Sequence, residues 1–288
     1  MTQDERAGTP KDRHYAKLRR AHRDAKRGSD RPARGNRRAV AAEPVPDDQV
    51  RLYGLHTVVA ALGNPERRCH RLVATRNAMN RLEMDEASLP CPVEIAEPRA
   101  LDKLLGSDAV HQGIMLEADP LPARPLAELG KADLLILLDQ VTDPHNVGAI
   151  LRSATALGAG AVITTTRHSP QESGVLAKAA SGALELVPYI QVVNLADALG
   201  ELARLGYQTI GLDSDGDGDL ETALAKPRIA LVLGSEGKGL RAKTRQTVDS
   251  LVRLEMPGAI RSLNVSNAAA IALYAARRFL QRTGSERA

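Results

Sequence analysis

Three polar segments, far apart in the sequence, carry the side chains that could bind a small molecule and transfer a group from it. They are residues 146–154 (NVGAILRSA), 233–239 (LGSEGKG) and 262–267 (SLNVSN). Each lies beside an apolar run or at the expected start of a helix. Glycines in such places expose backbone N–H and C=O groups, and the free N–H groups of a helix N-terminus can bind a ligand. The pattern predicts a ligand site made of strand-to-helix loops.

The glycine-rich segment 233–239 does not match the known phosphate-binding loops. A GxxxxGK[ST] loop would need a glycine at Val232 and a hydroxyl residue at Gly239, and GxGxxG is also absent. Glu236 at its centre would repel phosphate. A ligand that is neutral or positively charged at this place therefore fits better. The alternative is a tight turn between strand and helix, which by itself would explain the glycines.

The other two segments have structural explanations beside the functional ones. Asp143 or Asn146 could cap a helix over residues 146–157, and Gly148 permits the close approach of another backbone or a ligand. Arg152 could clamp a phosphate or carboxylate, or form an ordinary surface ion pair. In the third segment either Ser262 or Asn264 could cap the last helix.

The elements that must position these segments alternate between strand and helix from residue 133 onward. This alternation predicts an α/β fold with a mostly parallel sheet flanked by helices. Strands are expected at 134–138, 161–165, 187–193, 209–212, 229–233 and 251–254. Helices are expected at 146–157, 170–184, 195–205, 240–248 and 263–282.

The first half of the chain divides by composition. Residues 1–40 hold thirteen Lys and Arg against five Asp and Glu, a local charge of +8. We interpret residues 1–48 as a disordered basic arm attracted to RNA phosphate, the alternative being a solubilising tail. Residues 49–118 read as a small α/β domain, with helices near 58–62 and 101–105 and strands near 71–75 and 113–117. The Pro-rich residues 119–132 read as a linker to a domain over residues 133–288.

Bulk composition excludes several classes of protein. Cys69 and Cys91 do not make a disulfide framework, and no secretory signal or membrane span is visible, so a cytoplasmic protein is expected. With no Trp and one Phe, a broad aromatic platform for RNA bases is not expected. No HExxH motif or Cys/His cluster occurs, so no catalytic metal is predicted. Residues 213–219 (DSDGDGD) imitate a calcium loop, but Leu224 stands where the bidentate Glu is required.

The order and wording of the three polar segments resemble the three motifs of the SpoU/TrmH-type RNA ribose 2′-O-methyltransferases. A weaker match begins at residues 52–56 (LYGLH) and ends at 109–114 (AVHQGI). The resemblance implies S-adenosylmethionine (SAM) as cofactor, a SPOUT fold with a C-terminal trefoil knot, and a homodimer. It also implies an N-terminal RNA-binding domain similar to ribosomal-protein-L30-like domains. The layout is most similar to the bacterial branch that modifies a guanosine of large-subunit ribosomal RNA.

The same resemblance assigns the site residues. It places five polar side chains at the reaction centre: Asn146, Arg152, Glu236, Ser262 and Asn264. It places six residues around SAM: Leu233, Gly234, Gly237, Leu254, Met256 and Leu263.

The implied reaction is transfer of the SAM methyl group to a ribose 2′-hydroxyl of RNA, for which the protein must orient the acceptor and remove its proton. In this family the arginine of the first motif, here Arg152, is often described as the general base. Arginine keeps its proton far above neutral pH, so its role stays open between base and electrostatic clamp. Two other substrates or roles stay open: transfer RNA, and a SAM-binding ribosome-assembly factor without methylation. A nucleotide-dependent oxidoreductase is a third reading, which predicts NAD binding.

Overall fold

The computed structural model describes residues 41–46, 48–130, 132–260 and 262–285, with the backbone alone for 284 and 285. Of the predicted basic arm, residues 1–48, residues 1–40 and 47 lie outside the described residues. Among the described residues, no helix combines the length and the apolar character needed to cross a membrane.

The first part of the described chain forms a four-stranded sheet with the order β1-β4-β2-β3. β4 is antiparallel to both β1 and β2, and β3 is parallel to β2. Its strands are β1 (Val50–Tyr53), β2 (Cys69–Ala74), β3 (Val93–Ile95) and β4 (Ile114–Ala118). Its helices are α1 (Leu55–Gly63), α2 (Arg76–Leu82) and α3 (Pro98–Leu105), with a 3₁₀ turn at Glu86–Ser88.

The second part forms a seven-stranded sheet with the order β7-β6-β5-β10-β8-β11-β9, in which every pairing is parallel. Its strands are β5 (Leu134–Asp139), β6 (Ala161–Thr165), β7 (Tyr189–Val192), β8 (Gln208–Leu212), β9 (Gly218–Asp219), β10 (Ile229–Gly234) and β11 (Ser250–Arg253). Its helices are α4 (Pro144–Ala156), α5 (Gly174–Ala180), α6 (Leu195–Arg204), α7 (Leu220–Ala223), α8 (Ala242–Thr247) and α9 (Val265–Ser285), with 3₁₀ turns at Leu126–Leu129 and Ala183–Glu185.

The central strand β5 shows why this sheet forms. All six of its residues are buried, as expected for a parallel strand covered on both faces. Leu134, Ile136 and Leu138 pack into one hydrophobic cluster with α4, α5 and α9. Leu135 and Leu137 pack into another with α6. The predicted α/β class, with a mostly parallel sheet flanked by helices, is confirmed; the trefoil knot stays a prediction.

One predicted helix is wrong in extent. Residues 170–184 were expected to be helical throughout, but α5 covers Gly174–Ala180. The Ser173 side chain caps its start, and Ser181 (φ 53°) and Gly182 (φ 91°) adopt the left-handed conformation that ends a helix. The short strands β1, β3 and β9 and the helices α2 and α7 were not predicted, because elements this short give little periodic signal.

Candidate functional site

A cleft of about 800 Å³ lies where β8, β10 and β11 end. In a parallel sheet the carboxyl ends of the strands share one edge, and ligands commonly bind there. The volume lies in the range usual for small-molecule sites. All six residues expected around the cofactor line the cleft: Leu233, Gly234, Gly237, Leu254, Met256 and Leu263. A second cleft, of about 510 Å³, holds none of the predicted site residues.

The glycine loop after β10 folds back on itself. Gly239 N donates to Ser235 O over 2.9 Å, and Gly237 and Gly239 have φ values of 79° and 62°. A Cβ at Gly234 would lie 2.0 Å from the carbonyl carbon of Gly239. The loop's own packing therefore requires glycine at position 234, and a bulky substitution there would disturb the loop itself. At Gly237 an added Cβ would meet no atom within 4 Å, so that backbone is open to a ligand.

Two buried aspartates hold the helix that follows this loop. Asp139, at the end of β5, is fully buried and accepts hydrogen bonds from Arg241 N (2.9 Å) and Nε (2.6 Å). Asp213, just after β8, accepts one from Arg245 Nη1 (2.9 Å). Since β10 lies between β5 and β8, the two ion pairs grip α8 from both sides of the strand that carries the loop. We call these two pairs the aspartate clamp.

Glu236 gathers the polar side chains of all three segments. Its Oε1 accepts hydrogen bonds from Asn264 Nδ2 (2.7 Å), Asn146 Nδ2 (3.2 Å) and Val265 N (3.2 Å). Asn264 Nδ2 also donates to Asn146 Oδ1 over 3.0 Å. Glu236 lines the cleft, and its Oε2 has no hydrogen-bond partner among the described residues. One carboxylate oxygen thus joins the three segments while the other remains available to a ligand.

Helix caps explain some polar residues that the sequence left ambiguous. Asp143, not Asn146, caps α4 by accepting from His145 N over 2.9 Å. Asn264 caps α9, because its Oδ1 accepts from Ser266 N over 2.9 Å. A Cβ at Gly148 would lie 2.9 Å from the backbone of α5, so this glycine serves helix packing.

The charges in the cleft are nearly balanced. Four carboxylates and three cationic side chains line it: Asp213, Asp215, Glu236, Glu255, Lys238, Arg245 and Arg253. This balance suits a zwitterionic or cationic ligand better than a polyphosphate, as the position of Glu236 had suggested. Among the described residues, no group of three or more His, Cys, Asp or Glu is placed to hold a metal ion.

Two family models match this chain. The family model described as SpoU rRNA Methylase family matches residues 133–274. A second, described as RNA 2′-O ribose methyltransferase substrate binding, matches residues 51–123. The 23S rRNA (guanosine-2′-O-)-methyltransferase RlmB of Ralstonia nicotianae is 42% identical over 234 residues, which cover 78% of this chain and 94% of that relative.

The chain belongs to the SpoU rRNA methylase family. Its fold is shared by solved structures. An RNA methyltransferase of the TrmH family from Porphyromonas gingivalis superimposes with a TM-score of 0.67 at 30% identity, over 81% of this chain and 90% of that one. The SpoU methyltransferase AviRb from Streptomyces viridochromogenes, solved with AdoMet, has a TM-score of 0.69 at 24% identity, over 82% and 91%; at that identity the likeness concerns the fold.

Membership in the SpoU family confirms the predicted activity class, a SAM-dependent RNA ribose 2′-O-methyltransferase. Three of the five predicted catalytic residues, Asn146, Glu236 and Asn264, are in mutual contact. Ser262 lines the cleft and is exposed. Arg152 is exposed on α4, six residues after Asn146, or about 9 Å along the helix axis. It makes no hydrogen bond or ion pair with the described residues.

The aspartate clamp was missed at the sequence level. Asp139 stands directly after the predicted strand 134–138 and was given no role, and Asp213 was weighed as part of a calcium loop. A signal was present: each Asp follows an apolar strand, and Arg241 and Arg245 stand four residues apart, so they share one face of a helix. What the sequence could not show is that positions 102 residues apart, Asp139 and Arg241, meet.

Proposed function

We propose that this SpoU-family enzyme methylates the ribose 2′-hydroxyl of a guanosine in large-subunit ribosomal RNA, in the cytoplasm. The observation that carries the proposal is the contact of Asn146, Glu236 and Asn264 at the cleft. An assembly factor that bound SAM without using it would have no need of this polar cluster beside the cofactor. The RlmB relative from Ralstonia nicotianae, named for 23S rRNA guanosine, supports the choice of ribosomal RNA over transfer RNA.

The cleft is the proposed SAM site. Its fit rests on three features of the structure: a volume of about 800 Å³, the open backbone at Gly237, and the near balance of charge. Leu254, Met256 and Leu263 supply apolar lining for an adenosine, and the backbone of the glycine loop supplies hydrogen-bonding groups. Bound there, SAM supplies a methyl group made reactive by its sulfonium.

The chain's own residues must hold the acceptor ribose and dispose of its proton. Glu236 Oε1 is fixed by three donors, so the carboxylate needs little reorganisation when the substrate arrives. Its Oε2 can accept a hydrogen bond from a substrate group at the cleft. Ser262, exposed at the same cleft, can donate or accept one. Arg152 is assigned either to binding the phosphate beside the target ribose or to the proton transfer.

A homodimer is part of the proposal. On α9, Ile271 and Tyr274 are 46% and 59% exposed although both are large and apolar, and their spacing of three puts them on one face of the helix. A second copy packed on that face would cover them. Light scattering at micromolar concentration should give twice the chain mass. A fully active monomer would contradict the dimer.

We assign RNA binding to residues 49–118 and transfer to residues 133–288, joined by residues 119–132. The family model for substrate binding, at residues 51–123, supports this division.

The test of the proposed function is methyl transfer from labelled SAM to ribosomal RNA from a strain that lacks the enzyme. We expect one 2′-O-methylguanosine in the large-subunit RNA, mapped by nuclease protection and mass spectrometry, and none with Glu236→Ala. Transfer RNA is offered in parallel, and label in it alone would move the substrate there. SAM binding by calorimetry without transfer to either RNA would support the assembly factor and refute the enzyme. Binding of NAD in place of SAM would support the oxidoreductase.

A further inference from the structure

Arg67 is an arginine whose side chain is completely buried. It follows α1, at the entrance to strand β2 of the four-stranded sheet. Its Nε and Nη2 both donate to Glu185, over 3.2 and 2.5 Å, in a bidentate pair. Its Nη1 donates to Glu172 Oε1 (2.5 Å) and to the carbonyl of Asp119 (2.8 Å). The guanidinium is therefore satisfied from three directions.

These partners belong to different parts of the molecule. Glu172 precedes α5 and Glu185 lies in the 3₁₀ turn after it, both in the region of the seven-stranded sheet, whereas Asp119 starts the linker. Two further bonds reinforce the junction. Asn64 Nδ2 donates to Glu185 Oε2 over 2.7 Å, and Leu121 N donates to Glu172 Oε2 over 2.8 Å. One side chain thus ties the first sheet, the linker and the second sheet together.

The packing around this junction is close. Thr57 Oγ1, on α1, donates to the carbonyl of Ala177 on α5 over 3.2 Å. A Cβ at Gly174 would lie 2.3 Å from the carbonyl oxygen of Arg51. The contact between the two sheets is therefore a fitted surface, in which a small rotation would cause overlap of backbone atoms.

The electrostatics of Arg67 oppose any other arrangement. Burial alone would lower the pKa of Arg67, but its hydrogen bonds and ion pairs with Glu185 and Glu172 outweigh burial and raise it. Burial raises the pKa of Glu172. A small shift of one sheet against the other would part Arg67 from its carboxylates while the charges stayed buried. Removing one member of a buried ion pair is strongly unfavourable, whereas the intact pair contributes chiefly a preference for one geometry.

We propose that Arg67 is a positioning residue for methyl transfer. Its bonds to Glu172 and Glu185 fix the orientation of the four-stranded sheet, and with it the place where bound RNA meets the cleft. This inference rests on the proposed assignment of RNA binding to residues 49–118. Arg67 lies outside the cleft and its expected effect is on RNA presentation, not on SAM.

Arg71 provides a control variant within the four-stranded sheet. This arginine also forms a two-bond pair with a carboxylate, through Nε (2.6 Å) and Nη2 (3.2 Å) to Glu117. Both of those residues lie within the four-stranded sheet, on β2 and β4. The Arg71 side chain is 38% exposed, so Arg71→Gln removes a less buried ion pair without touching the junction between the sheets.

The experiment compares Arg67→Gln, Arg67→Lys and Arg71→Gln in the full chain. Steady-state kinetics give kcat/KM for RNA, calorimetry gives SAM affinity, and small-angle X-ray scattering gives the spread of overall dimensions. For Arg67→Gln we expect kcat/KM for RNA to fall tenfold or more, a broader distribution of dimensions, and SAM affinity within twofold of the wild type. Arg67→Lys, which keeps the charge but not the planar fork, should recover part of the loss. Arg71→Gln lies in the proposed RNA-binding region, so it is the control for overall dimensions alone, and these should stay near those of the wild type.

Equal broadening of the dimensions in Arg67→Gln and Arg71→Gln would overturn the proposal, as would a parallel loss of SAM affinity in Arg67→Gln. If Arg67→Gln does not fold, Glu172→Gln serves instead, because it leaves the pair with Glu185 intact; unchanged RNA kinetics in that variant would also overturn the proposal. A wild type that methylates no RNA defeats the proposed function, whereas normal kinetics in the Arg67 variants of an active enzyme defeat the positioning role alone.

Discussion

Asn264 Nδ2 donates a hydrogen bond of 2.7 Å to Glu236 Oε1, while the Oδ1 of the same amide caps α9. One side chain therefore starts the last helix and anchors the polar cluster at the cleft. Substitutions at Asn264 can separate these two contributions, since serine is also a good cap but lacks the amide donor.

The first prediction compares Asn264→Ser with Asn264→Ala. The Ala variant should lose about 1 kcal/mol of unfolding free energy with the cap, and the Ser variant only a fraction of that. Both should lose activity to a similar extent, on the order of a hundredfold, because both lack the donor that holds Glu236 and Asn146 in place. Urea unfolding and single-turnover methylation measure the two effects. Wild-type activity in the Ser variant would reduce Asn264 to a helix cap.

The aspartate clamp gives the second prediction. Asp213→Asn weakens the grip of Arg245 on the loop that lines the cleft. A hydrogen bond between charged groups contributes about 1.5–3 kcal/mol, so SAM affinity should fall about tenfold or more, measured by calorimetry. Asp217→Asn is the matched control, because Asp217 is exposed in the same turn and does not line the cleft. Equal affinities in the two variants would show that the clamp does not shape the cofactor site.

The second sheet was predictable because its central strands β5 and β10 are almost continuous apolar runs. β5 and β6 were found almost to the residue, since burial on both faces favours apolar residues at successive positions. The first sheet was harder. β1 alternates buried and half-buried residues over four positions, and β3 has three residues, of which Glu94 and Ile95 are exposed. Such short, half-covered strands depend on their neighbours more than on their own sequence.

The site was predictable as a set of residues but not as a geometry. Motif order pointed to Asn146, Glu236 and Asn264, and the fold brings them together. No local pattern indicates that Glu236 Oε1 would take three donors, or that Arg67 would meet Glu172 and Glu185 across more than a hundred positions of chain. The Glu236 contacts exist because three segments meet at one edge of the second sheet, and the Arg67 contacts because the two sheets pack in one orientation. Both are properties of the whole molecule.

Acid stability provides the third prediction. Hydrogen bonds from Arg71, and then from Arg51, hold the pKa of Glu117 below its usual range. A carboxylate whose folded-state pKa is depressed adds stability above its unfolded pKa, about 4.3, and this contribution is lost as pH falls through the lower folded-state value. Glu117→Gln should therefore be less stable than the wild type at pH 7. The difference should shrink steadily below about pH 4.3, as measured by urea unfolding. A difference that does not change with pH would exclude the ion pairs as its source.

The fourth prediction concerns the basic arm. Deleting residues 1–40 removes a net charge of +8. RNA binding should weaken mainly at low salt, and the slope of log K against log salt should become shallower, because fewer counterions are released. The methylated nucleotide should stay the same if residues 49–118 read the RNA. Filter binding at several salt concentrations and mapping of the modified position give the two results. A new methylation site after deletion would assign sequence choice to the arm.

The last prediction separates the two roles of Arg152. The side chain is exposed and unpaired among the described residues, as a clamp awaiting phosphate should be, and arginine gives up a proton only far above neutral pH. We therefore expect Arg152 to bind the phosphate beside the target ribose.

Arg152→Lys keeps the charge and loses the planar fork, whereas Arg152→Ala loses both. RNA affinity should fall in both, more in Ala, with SAM affinity unchanged. If Arg152 binds phosphate, the pH–rate profile of the Lys variant should stay flat at the alkaline end. A rate that rises with deprotonation of an amine, near pH 10, would show instead that the residue at position 152 takes the proton of the 2′-hydroxyl. Wild-type activity in Arg152→Ala would remove this side chain from the reaction altogether.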